Sequence, residues 1–445
     1  MQTSNLNIVQ QSESASEAQW WPAPTCNQPV HSTVDVPGSK SASNRALVLS
    51  ALSHGPSTIS GLLDARDTQL MIAGLRALGT GIDTSAPDSS GNVTARVTPA
   101  ALTGPADIYV GLAGTVMRFL PPVAALATGP VSFDGDPHAR VRPMQSMIDA
   151  LRHVGVSVSA ADGHLPFSLT SVGHVRGGTI SIDASASSQF ISGLLLSAAR
   201  FENGLTIKHV GPPVPSLPHI DMTIAMLREH GVEVDTDGST WWSVRPGTIH
   251  SRDTVIEPDF SNAAPFMAAA LITNGTVKVS RWPNTSTQPG IAIRELLERM
   301  GARVVLDDSG LTVSGTGDIR GIDADLSAVG ELAPTIAALA ALASGPSRLT
   351  GIAHLRGHET DRLAALTREL NALGGDVVEM PDGLQINSTV LRGGRFHTYA
   401  DHRMATAGAL IGLHVPGIIV ENIETTNKTI PDFPRRWNEL LADHP

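Results

Sequence analysis

The sequence predicts an α/β protein of two domains, and three observations carry that prediction. A β-α-β-α-β-β pattern recurs six times, the first helix of each unit is apolar almost all round, and 445 residues exceed the size at which one hydrophobic core usually stops growing. Such a unit leaves apolar surface exposed when alone, so units must assemble around shared buried helices, and six divide naturally into three and three. An open solenoid is the alternative, but a period near 72 residues is longer than the usual solenoid repeat.

The apolar helices are read from "NRALVLSALSHG", "TVMRFLPPVAALATG", "SSQFISGLLLSAARFENG", "SNAAPFMAAALITNG", "APTIAALAALASG" and "HRMATAGALIGLHVPG". They close at Gly55, Gly129, Gly204, Gly275, Gly345 and Gly417, at spacings of 74, 75, 71, 70 and 72 residues. A β-branched or apolar run follows each, as in "STISGL" and "TVKVSR", then a polar loop and a one-faced helix such as "DTQLMIAGLRALG" or "IAIRELLERMG". Val-rich strands about a turn complete the unit, as in "GARVVLDDSGLTVSG". The all-round apolar helices should be buried, and the one-faced helices should coat sheets.

Composition narrows the function classes. A net charge of −11 argues against bulk attraction to nucleic acid or to an anionic membrane, so an anionic ligand would need a local cluster of basic groups. No stretch approaches the ~20 mostly apolar residues of a membrane helix. The single cysteine, Cys26, has no intramolecular partner, which suits a reducing cytosol. Residues 1–19 lack both Lys or Arg and an apolar run, so they are not a secretory signal, and residues 1–27 are expected to be a flexible tail. A cytoplasmic protein is the expectation.

Polar and basic residues gather at the starts of the buried helices, in "GSKSASNR", "GLAGTVMR", "ASASSQF", "PDFSNAAPF" and "YADHRMA". Helix N-termini present free N–H groups and the positive end of the dipole, which suits anions. Ser, Asp and Asn there also serve as caps. Caps do not account for Lys40, Arg45, Arg118, Arg142, Arg362, Arg403 and Lys428, which fall at corresponding places in different units. Among the acids, Glu359 in "RGHETDR" alone reads as a first-turn carboxylate favoured by the dipole, and His402 alone as a helix-start residue. The phosphate-loop reading of "GSKS" fails because no glycine stands four positions before the Gly-Ser-Lys run, and no His or Cys spacing suggests a metal site.

In order along residues 28–437, "PGSKSASNRAL", "GLAGTVMRF", "VRPM", "ASSQF", "HETDR", "YADHRMA" and "NKTIPDF" resemble the 5-enolpyruvylshikimate-3-phosphate synthases, in their actinobacterial form. The resemblance implies the two-domain enolpyruvyl-transferase fold, each domain an inside-out α/β barrel of three units. Its crossings fall near residues 39 and 256, so residues 28–39 with 257–445 form one domain and 40–256 the other. It implies transfer of the enolpyruvyl group of phosphoenolpyruvate to the 5-hydroxyl of shikimate 3-phosphate by addition and elimination, in a monomer, with no metal or other cofactor.

By the same resemblance, Lys40, Ser41, Arg45, Ser187, Ser188, Gln189, Ser216, Glu331 and His358 are the shikimate 3-phosphate residues. Lys40, Gly114, Arg142, Gln189, Arg362, Arg403 and Lys428 are those for phosphoenolpyruvate. Glu331 is implied as proton acceptor and Glu359 as donor to the methylene carbon, with Lys40 also catalytic. His358 stands where many members carry lysine, so a titratable group near neutrality is expected there. Glu331 stands where many carry aspartate. Leu112 and Phe119 depart from the family in the segment that shapes glyphosate sensitivity, and inhibition by glyphosate is expected. The sister UDP-N-acetylglucosamine enolpyruvyl transferases share the architecture, but usually with a reactive cysteine or aspartate in a mobile loop, whereas Cys26 precedes the first unit. A noncatalytic relative would require the Lys, Arg and Glu set to be incidental.

Overall fold

The computed structural model describes residues 19–442. Among them are six sheets, and their apolar residues divide into two separate cores, one from residues 46–256 and the other from 23–36 with 260–440. At the centre of the first lie the helices Lys40–Leu52, Gly114–Ala124 and Gln189–Ala198, and at the centre of the second Phe260–Thr273, Ala333–Ala341 and His402–His414. Every residue of Gly114–Ala124 and of Ala333–Ala341 is buried, as all-round apolar sequences require. Each fully buried leucine or valine adds roughly 1.5–3 kcal/mol of transfer free energy. The outer helices are one-faced: Arg66–Ala77 buries Met71, Ile72 and Leu75 against its neighbours.

Five sheets have four strands in one arrangement, a parallel pair followed by an antiparallel hairpin. Ala106–Tyr109 runs parallel to Thr128–Asp134, which pairs antiparallel with Phe167–Val172, which in turn pairs with Ser157–Ala160. Two of the five exchange a strand across the crossings. His31–Val34 pairs in parallel with Thr276–Ser280 of the second core, although the chain next enters the first, and Thr254–Val255 pairs in parallel with Ser57–Leu63 of the first core before the chain leaves it.

The sixth unit departs from the repeat. Arg395–Phe396 and Ile419–Glu421 form its parallel pair, but the antiparallel partner is Trp20–Pro22, giving three strands. The expected tail 1–27 is therefore corrected over its last part. Asn422 N donates to Gln19 O (2.6 Å), Ala23 N to Ile418 O (3.0 Å) and Cys26 N to Leu413 O (3.0 Å), while the Trp20 ring meets His397 and the Arg395 guanidinium. The polar composition before residue 20 hid a Trp-Trp pair with strong strand preference. The rest of that expectation, residues 1–18, lies outside the described residues.

Where the helices of the first core touch, small residues decide the distance. A Cβ on Gly193 would lie 2.2 Å from the Arg118 carbonyl oxygen, a backbone atom of the facing helix. Gly193→Ala is expected to lower the unfolding free energy by about 1–3 kcal/mol, although alanine is the better helix former. The urea midpoint reads this, and an unchanged midpoint would mean that the two helices separate freely.

Candidate active site

All six buried helices begin at one place, the cleft between the cores. Lys40, Gly114 and Gln189 from the first core and Ser261, Glu331 and Arg403 from the second line a cavity of about 280 Å³. The caps follow from sequence: Ser39 Oγ accepts from Ala42 N (3.4 Å), Asp259 Oδ1 from Asn262 N (3.0 Å) and Asp401 Oδ1 from Arg403 N (2.8 Å). Asp259 also accepts from Lys40 N across the cleft at 3.2 Å.

Of the residues named from sequence, Lys40, Ser41, Gly114, Arg142, Ser187, Ser188, Gln189, Ser216, Glu331, His358, Glu359, Arg362 and Arg403 line this cavity together. Gly114 lets the backbone come close: a Cβ there would lie 2.9 Å from Gln189 Oε1 and 3.3 Å from an Arg142 guanidinium nitrogen. Lys428 reaches in from the Ile423–Lys428 turn, donating to Glu359 Oε1 (2.5 Å) and to the Leu112 carbonyl (3.4 Å).

Arg45 departs from its expected place. It is 1 % exposed and stands behind the lining, with Nε donating to Thr223 Oγ1 (2.7 Å) and its terminal nitrogens to Ser41 O and His219 O (2.9 Å each). The guanidinium lies over the Phe119 ring at 5.1 Å, and its burial without a carboxylate pushes it down to about 9. Four hydrogen bonds tie it to the protein, and through two of them it braces Ser41 and His219.

The cavity is electrostatically crowded. Burial pushes Lys40 down, opposed by Asp67 at 3.4 Å, while Lys428 and Arg403 add to the push. Burial holds Arg118 well below its ordinary value and the neighbouring Arg142 adds to this. The Nε atoms of both, and Gln189 Oε1, are buried without a protein partner. Arg362 is held by a buried pair, Nε to Asp401 Oδ2 at 2.7 Å, with 2 % and 0 % of the side chains exposed. Burial pushes the Glu359 carboxyl up, yet Lys428, Arg362 and Arg142 together hold it well below its ordinary range. Burial likewise pushes Glu331 up, but His219 and Arg403 bring it down to about 2. His358 differs from expectation: burial and then Arg362 push it well below neutrality, so it is an uncharged ring beside the Arg362 guanidinium. His402 is pushed down by burial and by Arg403, and neither ring nitrogen has a hydrogen-bond partner, Asp401 lying 3.7 Å from Nδ1.

Sequence reading missed Asp67, His219 and His354. Asp67 is a first-turn acid of an amphipathic helix, a place that carries no signal of its own, and His219 sits only three residues after Ser216, which was singled out. Among the described residues no group of three or more His, Cys, Asp or Glu side chains is arranged to hold a metal ion.

The family model of EPSP synthase (3-phosphoshikimate 1-carboxyvinyltransferase) matches residues 24–437. The chain belongs to the EPSP synthase family. Two solved structures of EPSP synthase from Acinetobacter baumannii are similar to it throughout, with TM-scores of 0.78 and 0.77 and 26% identity, each covering 95% of this chain and 98% of its own. As a member of the EPSP synthase family it is a transferase of the shikimate pathway, acting in aromatic amino-acid biosynthesis on phosphoenolpyruvate and shikimate 3-phosphate. Among the described residues no helix is long and apolar enough to cross a membrane.

The buried Arg362 guanidinium is held by two hydrogen bonds to Asp401, at 2.7 and 3.2 Å, and by one to Glu359 at 3.2 Å. Asp401→Asn is expected to cost about 3–5 kcal/mol of unfolding free energy by leaving a buried guanidinium short of its counter-charge. Chemical denaturation checks it, and wild-type stability would show that Arg362 needs no such partner.

Proposed function

We propose that the cleft holds the two substrates side by side and that Glu331 and Glu359 move the protons of enolpyruvyl transfer. The observation that carries this reading is the pair of carboxylates on one small cavity ringed by cations from both cores. Lys40, Ser41, Ser187, Ser188 and Ser216 take shikimate 3-phosphate, with Gln189 between the ligands, Glu331 toward the shikimate hydroxyls and His358 as a neutral hydrogen-bonding ring. Arg142, Arg362, Arg403 and Lys428 take the phosphate and carboxylate of phosphoenolpyruvate, with Lys40 touching both ligands and Gly114 giving the backbone room. Arginine forks suit both anions. Arg45 acts on the first substrate indirectly, through Ser41.

In the addition half, the 5-hydroxyl oxygen bonds to C2 of phosphoenolpyruvate as its proton passes to Glu331, and the methylene carbon takes a proton from Glu359. In the elimination half, Glu359 takes a proton back from the new methyl group, the C2–O bond to phosphate breaks, and phosphate leaves with the proton held by Glu331. Lys40 balances the charge of the departing phosphate. For Glu359 to serve as an acid it must first gain a proton. The anionic groups of phosphoenolpyruvate supply the condition by offsetting Lys428, Arg362 and Arg142, after which burial favours the neutral carboxyl.

The two cores support domains of residues 28–39 with 257–445 and 40–256, closing about the crossings. A monomer is the working unit of this proposal, and phosphorylated substrates fit a cytoplasmic setting. Phosphate release by purified protein, with a chelator present, should require both substrates. Glu359→Gln should lower kcat by about 10²–10⁴-fold while leaving the affinity for shikimate 3-phosphate, read by calorimetry, near that of the wild type. Release from phosphoenolpyruvate alone, or full activity in Glu359→Gln, would sink the assignment.

A further inference from the structure

Just ahead of Arg403 the backbone enters a conformation that its residues do not favour. Tyr399 and Ala400 stand side by side, each at a left-handed φ of 55°, where residues other than glycine ordinarily take such a φ singly. The turn ends at Asp401, whose N donates to Thr398 O (2.9 Å) and whose carboxylate caps His402–His414 and binds Arg362. Arg403 then lines the cavity, its guanidinium donating to Ser261 Oγ at 2.9 Å. The path of this turn therefore sets where Asp401 and Arg403 stand in the cleft.

Glu369 grips the turn from behind. It lies on the helix Arg362–Ala372, seven residues after Arg362 and so on the same face, two turns along. It is 2 % exposed, and its carboxylate accepts from His397 N (2.8 Å), from the His397 ring Nδ1 (3.2 Å) and from the Tyr399 hydroxyl (2.5 Å). One helix thus holds residues 397–401 on both sides of Ala400, by Glu369 before it and by Arg362 after it. Burial, and then the Glu369 carboxylate, push the Tyr399 phenol up to about 12, so its hydroxyl stays a donor. The Trp20 ring packs edge-on against His397 at 5.3 Å, and Thr398 N donates to Glu421 (3.1 Å). Glu369 is not among the residues that line the cavity.

We infer that Glu369 is a positioning residue for the phosphoenolpyruvate end of the site: by taking hydrogen bonds from His397 and Tyr399 it holds Tyr399 and Ala400 in the left-handed turn that delivers Asp401 and Arg403 to the cleft. The inference rests on the assignment of Arg362 and Arg403 to phosphoenolpyruvate.

The test is Glu369→Leu, which keeps much of the volume and removes every acceptor. Its KM for phosphoenolpyruvate should rise about tenfold, the size of one or two lost hydrogen bonds, with kcat changed far less, as loss of uniform binding requires. Calorimetric affinity and stoichiometry for shikimate 3-phosphate should stay near those of the wild type, which a merely unfolded fraction would not allow. Glu369→Gln should restore most of the KM, because its amide oxygen can accept from His397 N while the Tyr399 hydroxyl turns to accept from its amide N–H. Ala400→Asn added to Glu369→Leu should recover part of it, since asparagine tolerates the left-handed region and position 400 is exposed. An unchanged KM in Glu369→Leu overturns the inference, as does an equal loss of affinity for both substrates, or a double variant no better than Glu369→Leu.

Should Glu369→Leu misfold, Tyr399→Phe carries the test: it should raise the KM for phosphoenolpyruvate about threefold, and an unchanged KM overturns the inference. The grip on the turn is also read without activity. Ala400→Asn should raise the urea midpoint more in Glu369→Gln than in the wild type, and strict additivity overturns the inference. If Arg403→Gln leaves the KM for phosphoenolpyruvate unchanged, the assignment of Arg403 fails, and the inference with it, while the urea comparison still shows whether Glu369 holds the turn.

Discussion

Mutual repulsion among cations is the constraint that the cleft is built to withstand. Lys40, Arg118, Arg142, Arg362, Arg403 and Lys428 converge where six helices also direct their positive ends. The consequence is visible in the groups themselves, since Lys40, Arg118 and Arg403 are all driven toward loss of their protons, burial first and neighbouring cations after it. Carboxylates hold the cluster together, and several serve two purposes. Asp401 caps a buried helix and binds Arg362, while Asp259 caps another and ties down the backbone of Lys40. Asp67, 2 % exposed, lies 3.4 Å from Lys40 and 4.0 Å from Lys428. The negative charge of the whole chain does not create this pocket. It is made locally, by residues brought together from both cores.

The crossings join the two cores through a short paired segment. Residues 37–39 and 257–259 run side by side, with Ser39 N donating to Glu257 O (2.9 Å) and Asp259 N to Pro37 O (2.9 Å) around a bridge between Gly38 and Pro258. Gly38 admits no side chain, because a Cβ would lie 2.0 Å from the Gly61 carbonyl oxygen. Each core also depends on a strand that adjoins a crossing, His31–Val34 in one and Thr254–Val255 in the other. Each of those pairings lies within one core, so at the crossings the cores are joined by the paired segments 37–39 and 257–259 alone. Lys40 and Asp259 stand at the starts of buried helices directly beyond these segments, so charged groups of the site begin where the cores are joined.

Much of this was legible in the chain. Period-72 glycines and all-round apolar helices foretold six units, because a helix buried on every side has no polar face to disguise it. The clustering of Lys40, Arg142, Arg362, Arg403 and Lys428 was legible through their registration at equivalent places. The strand exchange was not, since local pattern says which residues form a strand but not which neighbour it joins. Trp20–Pro22 was lost for the same reason, its partner lying some 400 residues away in the chain. Arg45 carried the right motif, but only the fold reveals that it lies buried behind the lining and bonds to Thr223, Ser41 and His219. The neutrality of His358 likewise depends on burial and on Arg362, neither of which a side-chain type discloses.

The same electrostatics bear on the order of events under the proposed roles. With no ligand charge in the cleft, Glu359 is the anion that Lys428 and Arg362 grip, at 2.5 and 3.2 Å. A carboxylate so held can stabilise a cation but cannot donate a proton. Phosphoenolpyruvate brings its own phosphate and carboxylate to those cations and competes with Glu359 for them. Each contact it gains weakens the attraction that kept Glu359 ionised, while burial continues to favour the neutral form. The acid required by the methylene carbon therefore forms in response to the ligand that needs it, and a cleft lacking that ligand holds Glu359 in the wrong protonation state to start the reaction.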